Sequence, residues 1–367
     1  MLSKTYCGAC VGVNAYTVTV EVDVTPGICF YLVGLPDVAV KESQQRIGTA
    51  LQSIDCRIPG KRIVINMAPA DIKKEGSSFD LAIAIGIVSA SGQHLFPDLE
   101  NFLILGELAL DGSLRSVSGA LPIAEHARRE GFRYIILPQE SAYEVCEIFD
   151  IEVYGAKTLD DVISILLHEG RIEPVAFQDI VAGANLARVY EYDFSDIKGQ
   201  YAAKRALEIA AAGGHNVLMI GPPGAGKSFL AKAIPSILPL MNRDESVETS
   251  KIYSVASNGL KHGLIKERPF RSPHHSSSIY SITGGGTHSK PGEISLAHNG
   301  VLYLDEIPEF PKNVLEMLRQ PLEEREISIS RLRQKIVYPA NFMLIASMNP
   351  CPCGYFGSVA EKCICTG

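Results

Sequence analysis

Stretches of strand-like and helix-like spacing alternate along the first half of the chain. Val18 to Val24 alternates apolar and polar side chains, which is typical of a strand with one buried face. Val38 to Ser53 has helical spacing, and Asp80 to Ser91 is apolar almost throughout, so we predict a buried helix there. Further strands are predicted at 28–33, 62–67, 102–108 and 134–137, and further helices at 121–129 and 159–168. The pattern predicts one mixed αβ domain over residues 1–170.

The second half follows a stretch in which periodicity fades. Residues 171–192 contain turn-forming pairs such as Glu173-Pro174 and Ala182-Gly183, so we predict a linker. A helix is predicted at 202–212, and apolar strands are predicted at 216–220, 301–304 and 342–348. These elements indicate a second α/β domain over residues 193–367.

A β-hairpin is predicted at residues 326–338. Ile327 and Ile329 alternate with polar residues on one arm, and Ile336 and Tyr338 do so on the other. The tip between the arms carries three basic residues, Arg331, Arg333 and Lys335.

Composition restricts the class of protein. The 367 residues are 46% hydrophobic and 20% charged, which is typical of a globular chain of two domains. The sequence has neither a membrane-length apolar run nor the apolar core of a signal peptide, so we expect a cytoplasmic protein with no membrane contact. A net charge of −7 means that any nucleic-acid contact must come from local basic elements. Nine cysteines without a secretory signal argue against a disulfide framework.

One motif organises the second domain. The strand that ends at Ile220 runs into the pattern G-x-x-x-x-G-K-S, and a helix is predicted directly after it at 229–234. This context is that of a phosphate-binding loop, in which glycines let the backbone wrap a polyphosphate. Lys227 would reach the β- and γ-phosphates of ATP, and Ser228 would ligate Mg²⁺. The predicted nucleotide-binding residues are Gly221, Pro222, Pro223, Gly224, Ala225, Gly226, Lys227 and Ser228.

Two carboxylates follow the apolar strand at 301–304. In a parallel sheet, functional groups gather at the carboxyl ends of the strands, where the phosphate loop also lies. We predict that Asp305 holds Mg²⁺ and that Glu306 polarises the attacking water. The alternative is a solvated acidic pair at the start of a helix.

Motifs in the first domain carry a resemblance to a known family. Gly34 to Asp37, Asn66 to Asp71 and Glu75 to Leu81 are similar to the N-terminal domain of the magnesium chelatase-like ComM/YifB family. The resemblance implies a Lon-protease-like (S5-domain-2-like) α+β fold. Ser78 falls where Lon has its serine nucleophile, but Leu121 stands at the position of the lysine base, so no intact Ser-Lys dyad is expected. We therefore predict that Ser78 is a helix N-cap.

The second domain resembles the P-loop AAA+ parallel-sheet domain of the same family. The similar stretches are 193–200, 213–216, 268–275, 284–286, 291–300 and 349–354. The resemblance implies a homo-oligomeric ring (a hexamer), with Ile197, Gly199 and Gln200 near the adenine. It also implies that Asn349 is the first sensor, an amide near the γ-phosphate, whereas a turn-forming Asn before Pro350 is the alternative. The family's helical lid and arginine finger would lie beyond residue 367, so we expect a C-terminally truncated chain that binds nucleotide better than it hydrolyses it.

Basic residues and cysteines suggest two further sites. By the resemblance, the hairpin would project into the ring's pore, where Arg331, Arg333 and Lys335 would meet DNA phosphates. Arg268 and Arg271 form a second basic stretch that we also assign to DNA. The alternative for the hairpin is a solvated edge protected by its charges. The C-x-C pairs Cys351, Cys353, Cys363 and Cys365 predict a tetrahedral Zn²⁺ site, with reduced surface thiols as the alternative.

The leading hypothesis is an ATP-driven ring motor acting on single-stranded or branched DNA, because the resemblance implies branch-migration helicases of natural transformation. A magnesium chelatase-type ATPase subunit that drives a partner enzyme is the main alternative. An ATP-dependent protease component is a further alternative, against which Leu121 speaks. A sigma-factor-dependent activator is rejected, because 281–286 reads Ser-Ile-Thr-Gly-Gly-Gly.

Overall fold

Residues 1–148, 150–176, 190–256, 263–286, 289–331, 334–357 and 363–365 are described by the computed structural model of the chain. Contacts divide the chain into two units. The first comprises Met1–Ala184 and Tyr253–Leu264, and the second comprises Asn185–Ile252 and Ile265–Gly367. Part of the predicted linker, residues 177–189, lies outside the described residues.

A seven-stranded mixed sheet forms the centre of the first unit, in the order β3-β4-β2-β1-β5-β8-β9. Strands β1 and β2 pair antiparallel, as do β2 and β4, whereas the remaining neighbours are parallel. The strands are β1 (Leu2–Val11), β2 (Asn14–Thr25), β3 (Cys29–Val33), β4 (Arg62–Ala68), β5 (Phe102–Ile104), β6 (Glu107–Leu108), β7 (Leu114–Arg115), β8 (Tyr134–Pro138) and β9 (Glu152–Ala156). The helices are α1 (Val38–Gln52), α2 (Asp80–Ser91), α3 (Ala120–Glu130), α4 (Gln139–Val145) and α5 (Leu159–Leu166).

The predicted buried helix is confirmed as α2, in which every residue except Ser91 is buried. It packs on β1 and β2, whose Val18, Val20 and Val22 are fully buried as the alternating pattern predicts. Gly86 allows the close approach, because a Cβ there would lie 2.6 Å from a methyl carbon of Val22. Helix and sheet therefore meet without room for a larger side chain.

A buried ion pair fixes the start of α2. The guanidinium of Arg46 donates to both carboxylate oxygens of Asp80, at 2.7 and 3.0 Å. Asp80 is 1% exposed, and its carboxylate also accepts from the backbone N–H of Leu108. The pair joins α1, α2 and β6, and a buried charge of this kind is tolerated because it is paired.

The first unit differs from the sequence prediction in several elements. Strand β1, helix α4 and strand β9 were not predicted. The single strand expected at 102–108 is wrong, because Leu105 and Gly106 leave the sheet and separate β5 from β6. The expectation that Ser78 is an N-cap is also wrong, because the N-cap of α2 is Phe79 and no side chain caps the helix. The backbone C=O of Ser78 instead accepts from the N–H of Gly106.

The second unit contains a parallel four-stranded sheet in the order β10-β17-β14-β11. One face carries a core that includes Phe194, Leu207, Leu230, Tyr303 and Ile345. The strands are β10 (Val217–Ile220), β11 (Phe270–Arg271), β12 (Gly284–Gly285), β13 (Lys290–Pro291), β14 (Val301–Leu304), β15 (Glu326–Arg331), β16 (Gln334–Pro339) and β17 (Met343–Met348). The helices are α6 (Tyr201–Gly213), α7 (Lys227–Ala233), α8 (Arg243–Ala256), α9 (Ile279–Thr283), α10 (Glu293–Leu296), α11 (Lys312–Met317) and α12 (Arg319–Glu324).

The predicted hairpin is confirmed. Strands β15 and β16 pair antiparallel, with Ile327 opposite Tyr338 and Ile329 opposite Ile336. Tyr338 is buried and its hydroxyl donates to the C=O of Ser289 at 2.8 Å, which anchors the base of the hairpin. None of the described helices has the length and apolar character needed to cross a membrane.

Candidate active site

The loop at 221–226 connects β10 to α7, as the motif predicts. Gly224 and Gly226 have φ angles of 76° and 84°, in the left-handed region that glycine adopts without strain. No atom lies within 4 Å of a Cβ built at either position, so the loop surface is open. The backbone therefore has both the turn and the clearance that an approaching phosphate chain requires.

Lys227 bridges the loop and the neighbouring strand. Its ammonium donates to the C=O of Gly221 at 2.7 Å, the C=O of Pro222 at 3.0 Å and Oδ1 of Asn349 at 3.1 Å. Asn349 directly follows β17, which is the sheet neighbour of β10. The predicted phosphate lysine and the predicted sensor thus lie within hydrogen-bond distance of each other.

The predicted Mg²⁺ residues are also in contact. Oγ of Ser228 donates to Oδ2 of Asp305 at 2.9 Å, and Oγ of Ser347 donates to Oδ1. Burial works to raise the pKa of Asp305, but hydrogen bonds donated by Ser347 and Ser228 outweigh it and hold that pKa below its usual value of 3.8. Asp305 is therefore a carboxylate at neutral pH, as a magnesium ligand must be.

Glu306 is exposed and has a φ of 53°, so its backbone is left-handed. Its carboxylate does not join the Ser228–Asp305 contact, but lies 3.9 Å from Nδ1 of His275. The adjacent side chains of Asp305 and Glu306 are thus separated, one bound to Ser228 and the other facing solvent. This geometry permits the predicted division of roles between them.

The residues expected near the adenine lie before α6. Ile197 is 6% exposed and belongs to the core of the second unit. The side chain of Gln200 donates to the C=O of Ala225 at 3.2 Å, which ties this segment to the phosphate loop. Gly199 has a φ of 68° and open space at its Cβ position.

The donor set suits a magnesium nucleotide. A hydroxyl and a carboxylate, Ser228 and Asp305, are the hard oxygen ligands that Mg²⁺ prefers, and they touch one another beside the loop. The loop region also offers the ammonium group of Lys227 and an open glycine backbone, both of which suit phosphates. The residues present therefore fit ATP with Mg²⁺.

Three contributors were missed at the sequence level. Ser347 lies inside an apolar strand, where it reads as one small polar residue, yet it is fully buried and binds Asp305. The hydroxyl of Tyr303 donates to Ser347 at 3.2 Å and extends the same network. His275 is the third, and only folding brings it near Glu306.

The predicted DNA-contact residues divide into two groups. Arg268 donates to the C=O groups of Pro239, Leu240 and Asn299 and to Glu245, and Arg271 pairs with Glu293. Both side chains make internal contacts, and their assignment to DNA stays a prediction. In the hairpin, Lys335 is exposed. Arg333 and the side chain of Arg331 lie outside the described residues.

The four C-terminal cysteines converge. Within the part of the chain that the structure describes, they form the one group of at least three potential metal ligands, with all ligand atoms within 4.8 Å of one another. The Sγ–Sγ distances are 3.4 Å for Cys351–Cys353, 3.7 Å for Cys351–Cys363 and 3.6 Å for Cys353–Cys363. Hydrogen bonds from the backbone N–H groups of Ile364 and Tyr355 lower the pKa of Cys353 to about 6.

The candidate peptidase position lies in the first unit. Ser78 is half-buried, and Leu121 is fully buried in α3. A leucine offers no proton acceptor, so this position supplies no base for a serine.

Two family models match separate stretches of the chain. A family model described as magnesium chelatase, subunit ChlI, matches residues 193–367, and one described as subunit ChlI of Mg-chelatase matches residues 20–141. The chain is 47% identical to the competence protein ComM of Haemophilus influenzae, over 97% of this chain and 70% of that protein. It is 43% identical to YifB of Escherichia coli, over 99% of this chain and 71% of that protein.

The first unit has a further similarity. It is 30% identical over 112 residues to the archaeal Lon protease of Methanocaldococcus jannaschii, covering 30% of this chain and 17% of that protein.

A phosphate loop on a parallel sheet, facing an acidic strand end, defines the class as P-loop ATPases of the AAA+ type. With the Lon-like α+β unit before it, the expected fold class is confirmed. The chain belongs to the ComM/YifB family of magnesium chelatase-like AAA+ ATPases.

Proposed function

We propose that this protein is an ATP-driven motor that acts on single-stranded or branched DNA. The observation that carries the proposal is the hairpin of β15 and β16, which directly precedes β17 and the predicted sensor Asn349. Its tip holds Arg331, Arg333 and Lys335 in a chain whose net charge is −7. A local basic element leading into a nucleotide site supports coupling between the two. The relative named competence protein adds support for a role in natural transformation.

The residues of the site divide the chemistry of hydrolysis. When bound, Mg²⁺ neutralises charge that develops on the phosphate oxygens. Ser228 and Asp305 would hold the metal ion, and Lys227 would exchange its carbonyl partners for phosphate oxygens. Glu306 would accept a proton from the attacking water, and Asn349 would orient that water or the terminal phosphate.

DNA would be held by its backbone. Lysine and arginine side chains bind phosphates without reading bases, which suits a motor that moves along any sequence. The motor would move along DNA if binding or hydrolysis of the nucleotide changed the position of the hairpin. The route is short, because β16 ends at Pro339 and β17 begins at Met343.

We propose that the protein works as a homo-oligomeric ring, a hexamer, in the cytoplasm. A ring places one hairpin per subunit around a common pore, so that several phosphates are held at once. Neighbouring subunits would also supply groups to each nucleotide site, as the resemblance implies.

The test is ATPase rate and DNA affinity with forked DNA, single-stranded DNA, unfolded protein or no additive. DNA should raise the rate. An Arg331→Ala, Arg333→Ala, Lys335→Ala variant should bind DNA more weakly. In a plot of log K against log salt concentration, its slope should be shallower by about 0.7–0.9 for each phosphate that is no longer neutralised. Lys312→Ala, which removes an exposed lysine of α11, is the matched control. Stimulation by unfolded protein alone, or an unchanged salt slope, would contradict the proposal.

A magnesium chelatase-type ATPase subunit is the second candidate, favoured by the family model over residues 193–367. In that case a partner enzyme, and not DNA, would stimulate hydrolysis. A protein that binds Mg-ATP but ignores every DNA substrate in the assay above would support it.

We also propose that Zn²⁺ is a cofactor of the cysteine cluster. Four thiolates at about 2.3 Å from a tetrahedral zinc ion lie about 3.8 Å apart, close to the sulfur spacing of 3.4–3.7 Å found here. The spacing exceeds the about 2.05 Å of a disulfide bond. Elemental analysis of protein purified without chelator should find one zinc ion per chain, and its absence would retire the assignment.

A further inference from the structure

The cysteine cluster lies against the phosphate loop. Gly354 follows Cys353, is buried, and has a φ of 84°. A Cβ built on it would lie 2.6 Å from Cδ and 2.8 Å from Cγ of Pro223, closer than real Cβ atoms come to their neighbours. Pro223 belongs to the loop, and its ring is rigid. Gly354 therefore packs on the outside of the phosphate loop with no room for a side chain.

The same segment begins at the sensor. Asn349 accepts from Lys227, and Cys351 follows two residues later. The C=O of Cys351 accepts from the N–H of Gly354 at 2.9 Å, which closes the turn that carries Gly354 to Pro223. The loop is thus touched from the chain segment 349–354 at two points, Lys227 and Pro223.

A metal ion would join this turn to a later segment of the chain. Cys351 and Cys353 lie within the turn, whereas Cys363 comes from the later segment, and all three Sγ atoms are within 3.7 Å of one another. A bound ion would fix the turn in place. Without the ion, the four thiols would add only weak S–H contacts to the backbone hydrogen bonds of the turn.

We infer that zinc in the cysteine cluster braces the phosphate loop through Gly354 and Pro223, so that zinc and nucleotide bind cooperatively. The inference rests on the nucleotide and zinc sites proposed above. By linkage, the factor by which zinc raises ATP affinity equals the factor by which ATP raises zinc affinity. A coupling of about five- to tenfold is expected, near the lower end of the usual range.

The test compares zinc-loaded and chelator-stripped protein, with reduced thiols, by titration with a fluorescent ATP analogue and Mg²⁺. Stripping should raise the dissociation constant about five- to tenfold. A Cys363→Ser, Cys365→Ser variant should lose zinc and show the weaker affinity without stripping, whereas Cys29→Ser, outside the cluster, should match the unaltered protein. Circular dichroism checks that each variant is folded.

A second pair of variants keeps every cysteine. Gly354→Ala should retain zinc but weaken nucleotide binding, because the new Cβ displaces Pro223. Gly357→Ala is the matched control, since its φ of 79° is similar but no atom lies within 4 Å of its Cβ position. Equal effects of the two substitutions, or equal affinity before and after stripping, would overturn the inference. Zinc-loaded protein that binds no Mg-ATP would instead overturn the proposed function.

Discussion

Lys227 donates a hydrogen bond of 3.1 Å to Oδ1 of Asn349, although 122 residues separate the two in the sequence. Strand register explains the contact. Ile220 pairs with Met348 in the parallel β10–β17 ladder, so Gly221 and Asn349 leave the sheet side by side. A single strand pairing therefore positions the phosphate loop beside the predicted sensor.

Lys227→Ala should lower Mg-ATP affinity about 10- to 100-fold, because hydrogen bonds to charged groups contribute about 1.5–3 kcal/mol. Isothermal titration calorimetry measures the change. Lys232→Ala is the control, because that ammonium lies 5.5 Å from the ring of Tyr192 and outside the loop. Unchanged affinity in the Lys227 variant would place the nucleotide elsewhere.

Asp305→Asn should weaken Mg²⁺ binding in the presence of ATP at least about tenfold, since the amide replaces a charged ligand with a neutral one. The amide retains an oxygen that can accept from Ser228, so the fold should persist. Titration of nucleotide-bound protein with Mg²⁺ or Mn²⁺ reports the effect. Equal metal affinity in the two proteins would remove Asp305 from the metal site.

Asp305 should add no pH dependence to the same metal affinity between about 5.5 and 8. Asp305 has a pKa lowered below 3.8 in the folded protein, so it stays ionised throughout this range and is neutralised only as pH falls through that lowered value. Metal titrations at several pH values check this. A one-proton loss of affinity within the range, beyond the one that the γ-phosphate of free ATP shows, would identify another titrating ligand in the protein.

Glu306→Gln should lower the rate of ATP hydrolysis about 100-fold or more and leave ATP affinity unchanged. The reason is that a general base contributes to the rate and not to ground-state binding. Phosphate release and nucleotide titration separate the two effects. Glu309→Gln, an exposed acid in the following turn, should leave both unchanged. Equal rates for the two variants would argue against Glu306 as the base.

Arg46→Met should destabilise the first unit by about 3–5 kcal/mol, because it leaves the buried carboxylate of Asp80 without its partner. The double variant with Asp80→Asn should recover much of the loss, since no buried charge remains. Chemical denaturation measures both. Arg128→Met, whose partner Asp150 is 82% exposed, should have little effect. Destabilisation that the double variant does not relieve would contradict the explanation.

Local pattern predicted the elements that carry the nucleotide chemistry. The glycine loop at 221–226 and the strand before Asp305 could be predicted, because in each case an apolar run is followed by loop or polar residues at its carboxyl end. Parallel pairing then predicts that Ser228 and Asp305 meet, and they do. The hairpin was visible for a similar reason, because Ile327 and Tyr338 mark matching faces.

Other features depend on contacts that a sequence pattern does not contain. Ser347 is one small polar residue within a strand, and only the sheet brings it to Asp305. Arg268 reads as a free basic residue until the fold surrounds it with three carbonyl groups. The strand at 102–108 is interrupted at Gly106, whose backbone N–H donates to the C=O of Ser78 and whose C=O accepts from the N–H of Leu81.

The left-handed backbone at Glu306 affects how this position would change during evolution. A side chain in this conformation costs about 1 kcal/mol or more relative to glycine, so folding alone would favour glycine there. With Glu306 as the proposed base, stability favours glycine at this position whereas ATP hydrolysis favours glutamate. In a lineage that no longer needed ATP hydrolysis, replacing this glutamate with glycine would stabilise the fold.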